Sequence, residues 1–232
     1  MNKIDFKNIK KQCVKNIDFL NNHNFKNDQI FTFVFNIEDT CIIDNILNNS
    51  NIYKNDPICF LNEDFQSIGL VKEKEFIFSN SKQFDSIQSS ILKLISKSKF
   101  VNKKNNLDKT FIFGGYNFNL DQKNTGIWDS VPNGVFILPR YIFFKSYIII
   151  NLFLSSNSKN ISSDIIIRYI EELQLIIKDG TVDKQSSIDK IEDINKDKYF
   201  HNLESSINTI NDKNNKLDKV VLSRIKQISY KD

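Results

Sequence analysis

Between Gly134 and Leu154 the chain reads GVFILPRYIFFKSYIIINLFL, and this run constrains the fold more than any other segment. Its longest apolar stretch, Tyr147 to Leu154, is interrupted by Asn151 and falls far short of the roughly 20 apolar residues that a membrane-spanning helix needs. The polar pair Lys145-Ser146 divides the run, so it reads as two antiparallel strands meeting there. Any fold for this chain is built around that pair.

Other segments supply partners for it. Ile30 to Phe35 (IFTFVF) is rich in aromatic and β-branched residues and reads as a buried strand. Short strands are expected near Pro57–Leu61, Ser67–Val71 and Glu75–Phe78. The stretch 110–118 (TFIFGGYNF) reads as a strand carrying the chain's only adjacent glycines, Gly114-Gly115. A glycine pair in a strand marks a bulge or a close backbone approach. Helical spacing of apolar residues appears in 3–22, 83–98, 164–178 and 198–212. In 83–98 it runs Phe84, Ile87, Ile91, Leu94, and in 164–178 it runs Ile166, Ile170, Leu173, Ile177. Segments 102–108 and 121–127 read as loops. Residues 181–197 are charged and poor in large apolar side chains, and read as an exposed, mobile connection. A last strand is expected from Lys219 to Ile228. Strands and helices follow one another without regular βαβ alternation, which predicts an α+β fold with largely antiparallel sheets and flanking helices.

Much of the usual chemistry is excluded. GxGxxG, GxxxxGK[ST] and GxSxG are all absent, so dinucleotide, P-loop and nucleophile-elbow chemistry have no support. The three cysteines are too scattered for a disulfide framework or a CxxC metal pair, and Cys13 and Cys41 fall in apolar patterns as core thiols. His23 and His201 lie far apart in polar contexts and read as ordinary histidines. The first residues, MNKIDFKNIKKQ, carry no apolar signal region, so a cytoplasmic protein is expected. The net charge of +4 could suggest nucleic acid. The chain, however, holds 36 Ile, 31 Asn and 29 Lys against 3 Arg and no Ala, the imprint of AT-rich codons. Lysine excess is then drift, interspersed with acidic residues, and no nucleic-acid partner is expected.

The last strand carries the most specific signal. Alternation puts Lys219, Val221 and Ser223 on one face and Val220, Leu222 and Arg224 on the other. On spacing alone, a lysine at the head of an apolar strand is a solvated end. Held among apolar neighbours, a lysine loses hydration of its charged form and can act as a general base.

The stretch from Phe200 to Arg224, FHNLESSINTINDKNNKLDKVVLSR, resembles the central signature of the chorismate-utilising enzymes. In that family an aromatic residue opens a helix and the following strand reads KVVLAR or KVVLSR; Phe200 stands where a Trp is common. Upstream, FGGYNF (113–118), Trp128, Pro132 and FILPR (136–140) resemble the family's glycine-pair strand, its Trp and its next strand pair, in the same order. The resemblance covers 110–229 well and the first hundred residues loosely. It implies that 1–232 is the N-terminal portion of a chorismate-binding enzyme domain, with the N-terminal half of the anthranilate synthase component I-like fold and the C-terminal catalytic half beyond it.

The residue heading the KVVLSR strand sorts chemistry within the family. Lysine accompanies water as nucleophile, as in isochorismate and salicylate synthases; ammonia-using anthranilate and aminodeoxychorismate synthases carry another residue, such as Gln. The resemblance therefore implies an isomerase, isochorismate synthase, converting chorismate to isochorismate with Lys219 as general base, in the service of menaquinone synthesis. It also implies Mg²⁺, with glutamate ligands that have no counterpart in this sequence, and a second polypeptide as one source of the missing half. The alternatives are another chorismate-utilising enzyme, or a non-catalytic remnant or binding module. Glu171, Glu172 and Glu204 precede Lys219 and read as solvated helix positions rather than family site residues.

Overall fold

A computed structural model describes residues 4–21, 27–37, 42–47, 49–55, 57–61, 66–101, 110–126, 129–144, 147–156, 163–178, 187–212 and 219–231. Trp128, Cys41, His23, the loop 102–108 and the turn at 145–146 lie outside them. The chain divides into two compact units, Met1–Val182 and Asp183–Asp232.

The first unit is a seven-stranded sheet with helices on both faces. Its main path runs β2 (Ile58–Leu61), β3 (Gln66–Phe78), β6 (Gly134–Phe144), β7 (Tyr147–Leu154), β1 (Gln29–Asn36) and β4 (Lys99–Phe100). β5 (Phe113–Tyr116) pairs with β6 off that path. All pairings are antiparallel except β1 with β4. The expected α+β class and the central β6–β7 pair therefore stand. β6 is shared along its length: β3 runs beside it throughout, while β5 takes Gly134–Ile137 and β7 takes Tyr141–Phe144 on the other side.

Strand alternation sorts the apolar residues into two layers. Phe31, Phe33 and Phe35 of β1, Tyr141 and Phe143 of β6, and Ile148, Ile150 and Leu152 of β7 form one layer. It is covered by α1 (Phe6–Asn21), α2 (Ile42–Leu47), the 3₁₀ turn Ser50–Asn55 and α4 (Ser163–Ile177). α4 contributes Ile166, Ile170, Leu173, Ile176 and Ile177, all buried. On the opposite face Val34, Ile142 and Ile149 pack with Phe113 and Phe144, and Ile30 and Leu138 pack with Leu94 of α3 (Ser81–Ser96). α3 begins at Asn80, whose side chain accepts the Gln83 N–H at 2.9 Å while Gln83 accepts the Ser79 N–H at 2.8 Å. This reciprocal arrangement satisfies donors that a helix start leaves open.

Asn151, the polar break in the apolar run, is fully buried and satisfied. Its Nδ2 donates to the Pro139 carbonyl at 2.8 Å and its Oδ1 accepts from Thr32 Oγ1 at 2.9 Å. The two side-chain bonds tie β7 to both of its neighbours and spare the desolvated amide the cost of remaining unpaired.

The two short strands expected at Ser67–Val71 and Glu75–Phe78 are one strand, β3. The intervening Lys72, Glu73 and Lys74 form a bulge: the register shifts between Lys72 and Lys74, and Val71 takes φ of +59°. The bulge faces Pro139 of β6, which pairs with Lys72 and has no N–H to give.

The glycine pair divides by environment. A Cβ on Gly114 would lie 2.1 Å from the Val135 carbonyl oxygen and 2.8 Å from the Phe136 Cα, whereas nothing lies within 4 Å of one on Gly115. Backbone cannot yield as a flexible side chain does. Gly114→Ala is therefore expected to destabilise by about 1–3 kcal/mol and Gly115→Ala to stay within about 0.5 kcal/mol of the parent, measured by urea unfolding. Equal effects would refute the close-approach reading.

The second unit holds β8 (Ser187–Ile194), α5 (Lys196–Asn211) and β9 (Ile225–Lys231), with β8 and β9 antiparallel. Two expectations are corrected here. The stretch 181–197 contains a strand rather than only a connection: Ile188, Ile191 and Ile194 pair with Tyr230, Ile228 and Ile225, contacts that its charge obscures. The last strand begins at Ile225, not Lys219, because its pairing starts opposite Ile194. α5 has no buried residue, and Phe200, Ile207 and Ile210 of its apolar stripe are exposed, as are Ile188, Ile191, Ile225 and Ile228. No described helix is long and apolar enough to cross a membrane.

Candidate functional site

The KVVLSR segment, 219–224, forms an irregular lead into β9. Lys219 is exposed, Val220 and Leu222 are half-buried, and Val221 is 80% exposed. The segment is anchored at its end. Arg224 Nε donates to Asp193 Oδ1 at 2.9 Å and its Nη2 to Asp193 Oδ2, a two-pronged contact that the planar guanidinium makes naturally. The same guanidinium stands 6.0 Å from the Tyr199 ring centre and 5.9 Å from that of Phe200. The fold thus brings together Phe200 and Arg224, the two ends of the sequence signature. The strand expected at Lys219 is not formed, and the lysine makes no ion pair among the described residues.

The Arg224 hydrogen bond holds the Asp193 carboxyl below its usual 3.8, against an opposing desolvation. A depressed carboxyl contributes stability above its unfolded value and loses it as pH falls through the folded one. The β8–β9 hairpin is therefore expected to weaken on acidification below about pH 4. A carboxyl ¹³C titration checks this: the Asp193 midpoint lies below 3.8 in the parent and rises in Arg224→Gln. A midpoint indifferent to that substitution would contradict it.

The first unit carries a charged network that sequence reading missed. The β3 bulge leaves Glu73 without a cross-strand partner and its carboxylate buried, with 5% of the side chain exposed. Arg140 Nε donates to it at 2.8 Å, the Phe153 N–H at 2.9 Å and the Tyr169 hydroxyl at 3.0 Å. Arg140 Nη1 also reaches Glu172 at 2.8 Å, and its guanidinium lies 4.1 Å from the Tyr169 ring centre. Tyr141 donates to Glu172 and lies 2.6 Å from the Tyr169 carbonyl. Glu172 is thus a partner of Arg140 and Tyr141, not a merely solvated helix position, whereas Glu171 meets Lys10 at the surface. Burial lowers the Arg140 guanidinium's affinity for its proton, but the Glu73 and Glu172 hydrogen bonds overcome this and hold it charged. Burial, then Glu172, pushes the Tyr141 hydroxyl up; burial, then Glu73, does the same to Tyr169. Both phenols stay neutral donors. The network couples β3, β6, β7 and α4 through satisfied charges, and its chemistry is structural.

Other candidates hold no reactive arrangement. Burial pushes the Cys13 thiol up to about 12, removing the thiolate a nucleophile needs. His201 is exposed on α5. Among the described residues no group of three or more His, Cys, Asp or Glu side chains could hold a metal ion, so the carboxylates described do not fit a Mg²⁺ site.

Comparison with known proteins identifies the family. A family model described as chorismate binding enzyme matches residues 11–232. The solved structure of MenF, the menaquinone-specific isochorismate synthase from Escherichia coli, is similar at 14% identity with a TM-score of 0.48. That similarity covers 95% of this chain and 46% of the other, so the chain spans under half the length of that solved protein. No curated protein matches by sequence. With the family match running from the first helix through β9, the chain belongs to the chorismate binding enzyme family.

Proposed function

We propose that this chain forms part of an isochorismate synthase acting toward menaquinone. The observation that carries the reading is Lys219 at the head of KVVLSR, within a chain of the chorismate binding enzyme family. In this reaction water adds at carbon 2 of the chorismate ring and the carbon-4 hydroxyl departs. Lys219 takes the proton from the attacking water, and an acid returns one to the leaving hydroxyl, so the net change is an isomerisation. Lys219 is exposed here, and a general base acts best in a site from which bulk water is excluded. The base role therefore requires the segment to be covered, which a second polypeptide carrying the acid glutamate would achieve.

Among the described residues Lys219 makes no ion pair with a carboxylate, and no group of acidic side chains could hold Mg²⁺. Purified chain with chorismate and Mg²⁺ is thus expected to form no isochorismate, since general acid catalysis alone contributes about 10²–10⁴-fold. Isochorismate is followed by chromatography. Mg²⁺-dependent turnover by the chain alone would overturn the need for a partner. The exposure of Lys219 also favours a second reading, a non-catalytic chorismate-binding module. Chorismate binding that persists unchanged in Lys219→Ala, with no turnover under any reconstitution, distinguishes it.

A further inference from the structure

The sheet face under α3 holds a second concentration of charge. A cavity of about 300 Å³ opens between the C-terminal turns of α3 and strands β3 and β7, and its lining includes Lys74, Lys93, Lys97, Phe76, Phe153 and Asp28. Three ammonium groups around one small cavity repel one another. Asp28 offsets only one of them, and its Oδ1 already accepts the Ser156 N–H at 2.9 Å. Among the described residues none of the three lysines forms an ion pair.

Two of these lysines have a local reason to be where they are. Lys93 and Lys97 occupy the end of α3, where cations oppose the negative end of the helix dipole. Lys74 has no such reason. It follows the β3 bulge, which gives Glu73 to the Arg140 network and Lys74 to this cavity. Its Nζ stands 4.9 Å from the Phe153 ring centre and 6.0 Å from that of Phe76. The bulge therefore brings a third cation over an aromatic floor. The cavity combines two net positive charges with an apolar base formed by Phe76, Phe153 and Leu94, and its size suits the smallest of ligand pockets.

We propose that this cavity binds a small organic dianion with an apolar ring, its ring against Phe76 and Leu94 and its anionic groups among Lys74, Lys93 and Lys97. The proposal is independent of the role given to Lys219, which lies in the other unit. Isophthalate, a benzene ring with two carboxylates, serves as the probe, with benzoate and inorganic phosphate as comparators. Calorimetric titration into the full chain at low salt is expected to show one saturable isophthalate site, about tenfold tighter than either comparator. Two partly exposed charge contacts together correspond to about tenfold in affinity, so Lys74→Gln/Lys97→Gln should weaken isophthalate by about that factor. A circular-dichroism melt confirms that the double variant is folded. Lys219→Ala should bind the probe as the parent does. Equal affinity for phosphate, parental affinity in the double variant, loss of the site in Lys219→Ala, or no saturable binding would each overturn the proposal.

Discussion

If the proposed function holds, Lys219→Ala is expected to lower isochorismate formation by the assembled enzyme about 10²–10⁴-fold, the range a positioned acid or base supplies, while chorismate still binds. The split between turnover and binding is the informative part. A group used only in the chemical step lowers kcat and kcat/KM together, whereas one that merely holds substrate raises KM. Lys219→Arg is expected to fail as well. A guanidinium stays protonated throughout the accessible pH range and cannot accept the water's proton. Measuring kcat by isochorismate release and Kd by chorismate titration separates these outcomes. Parental turnover in Lys219→Ala would remove the reason for preferring water over ammonia as nucleophile. This prediction rests on the proposed function, and chorismate binding without any turnover in the parent assembly would return the question to the binding-module reading.

Arg140→Ala is expected to destabilise the first unit by about 3 kcal/mol, the cost of leaving a buried carboxylate without its partner. Glu73 is the group stranded: it is almost fully buried and keeps only the Phe153 N–H and the Tyr169 hydroxyl. For a unit of this size the loss corresponds to a fall of about 6–12 °C in Tm. The paired replacement Arg140→Met/Glu73→Leu should recover most of it, since removing both charges also removes their desolvation. A double-mutant cycle in urea reads the coupling directly. An Arg140→Ala variant within about 0.5 kcal/mol of the parent would show that Glu73 does not depend on this arginine.

How much of this was legible in the sequence differed by element for physical reasons. α3, α4 and β1 announce themselves because each buries one regular stripe or strand, and the β6–β7 pair does so because both strands are apolar almost throughout. α2 and β4 are too short, at six and two residues, for any period to register. β3 looks like two strands in the sequence because a bulge turns Lys72-Glu73-Lys74 out of alternation, and a charged triplet resembles a loop unless Arg140 is known to lie across from it. β8 is hidden by its own exposure: a hairpin wet on both faces can afford Asp189, Lys190, Glu192 and Asp193. The KVVLSR segment shows the converse. Its alternation and family signature are plain, yet alternation alone does not supply a neighbouring strand to pair with, and pairing begins only at Ile225. Phe200 and Arg224 could be named from the signature, but their meeting through Asp193 and the aromatic pair required the fold.

The arginines have a consequence for how such a chain can be read at all. Codon drift has filled it with 29 lysines and left 3 arginines. Wherever a diffuse positive charge suffices, lysine serves equally well, and drift passes unopposed. Arg168 is exposed on α4, but the other two arginines are used otherwise: Arg140 bridges two carboxylates with separate nitrogens, and Arg224 grips both oxygens of one. An ammonium cannot reproduce either fork. Rare residues in a biased genome thus act as a built-in substitution experiment: the places where the common replacement fails stand out against its background. By that measure the Glu73 crossing and the Asp193 anchor are positions where shape, beyond charge, is required. A lysine scan of the chain should find these two contacts among its least forgiving sites.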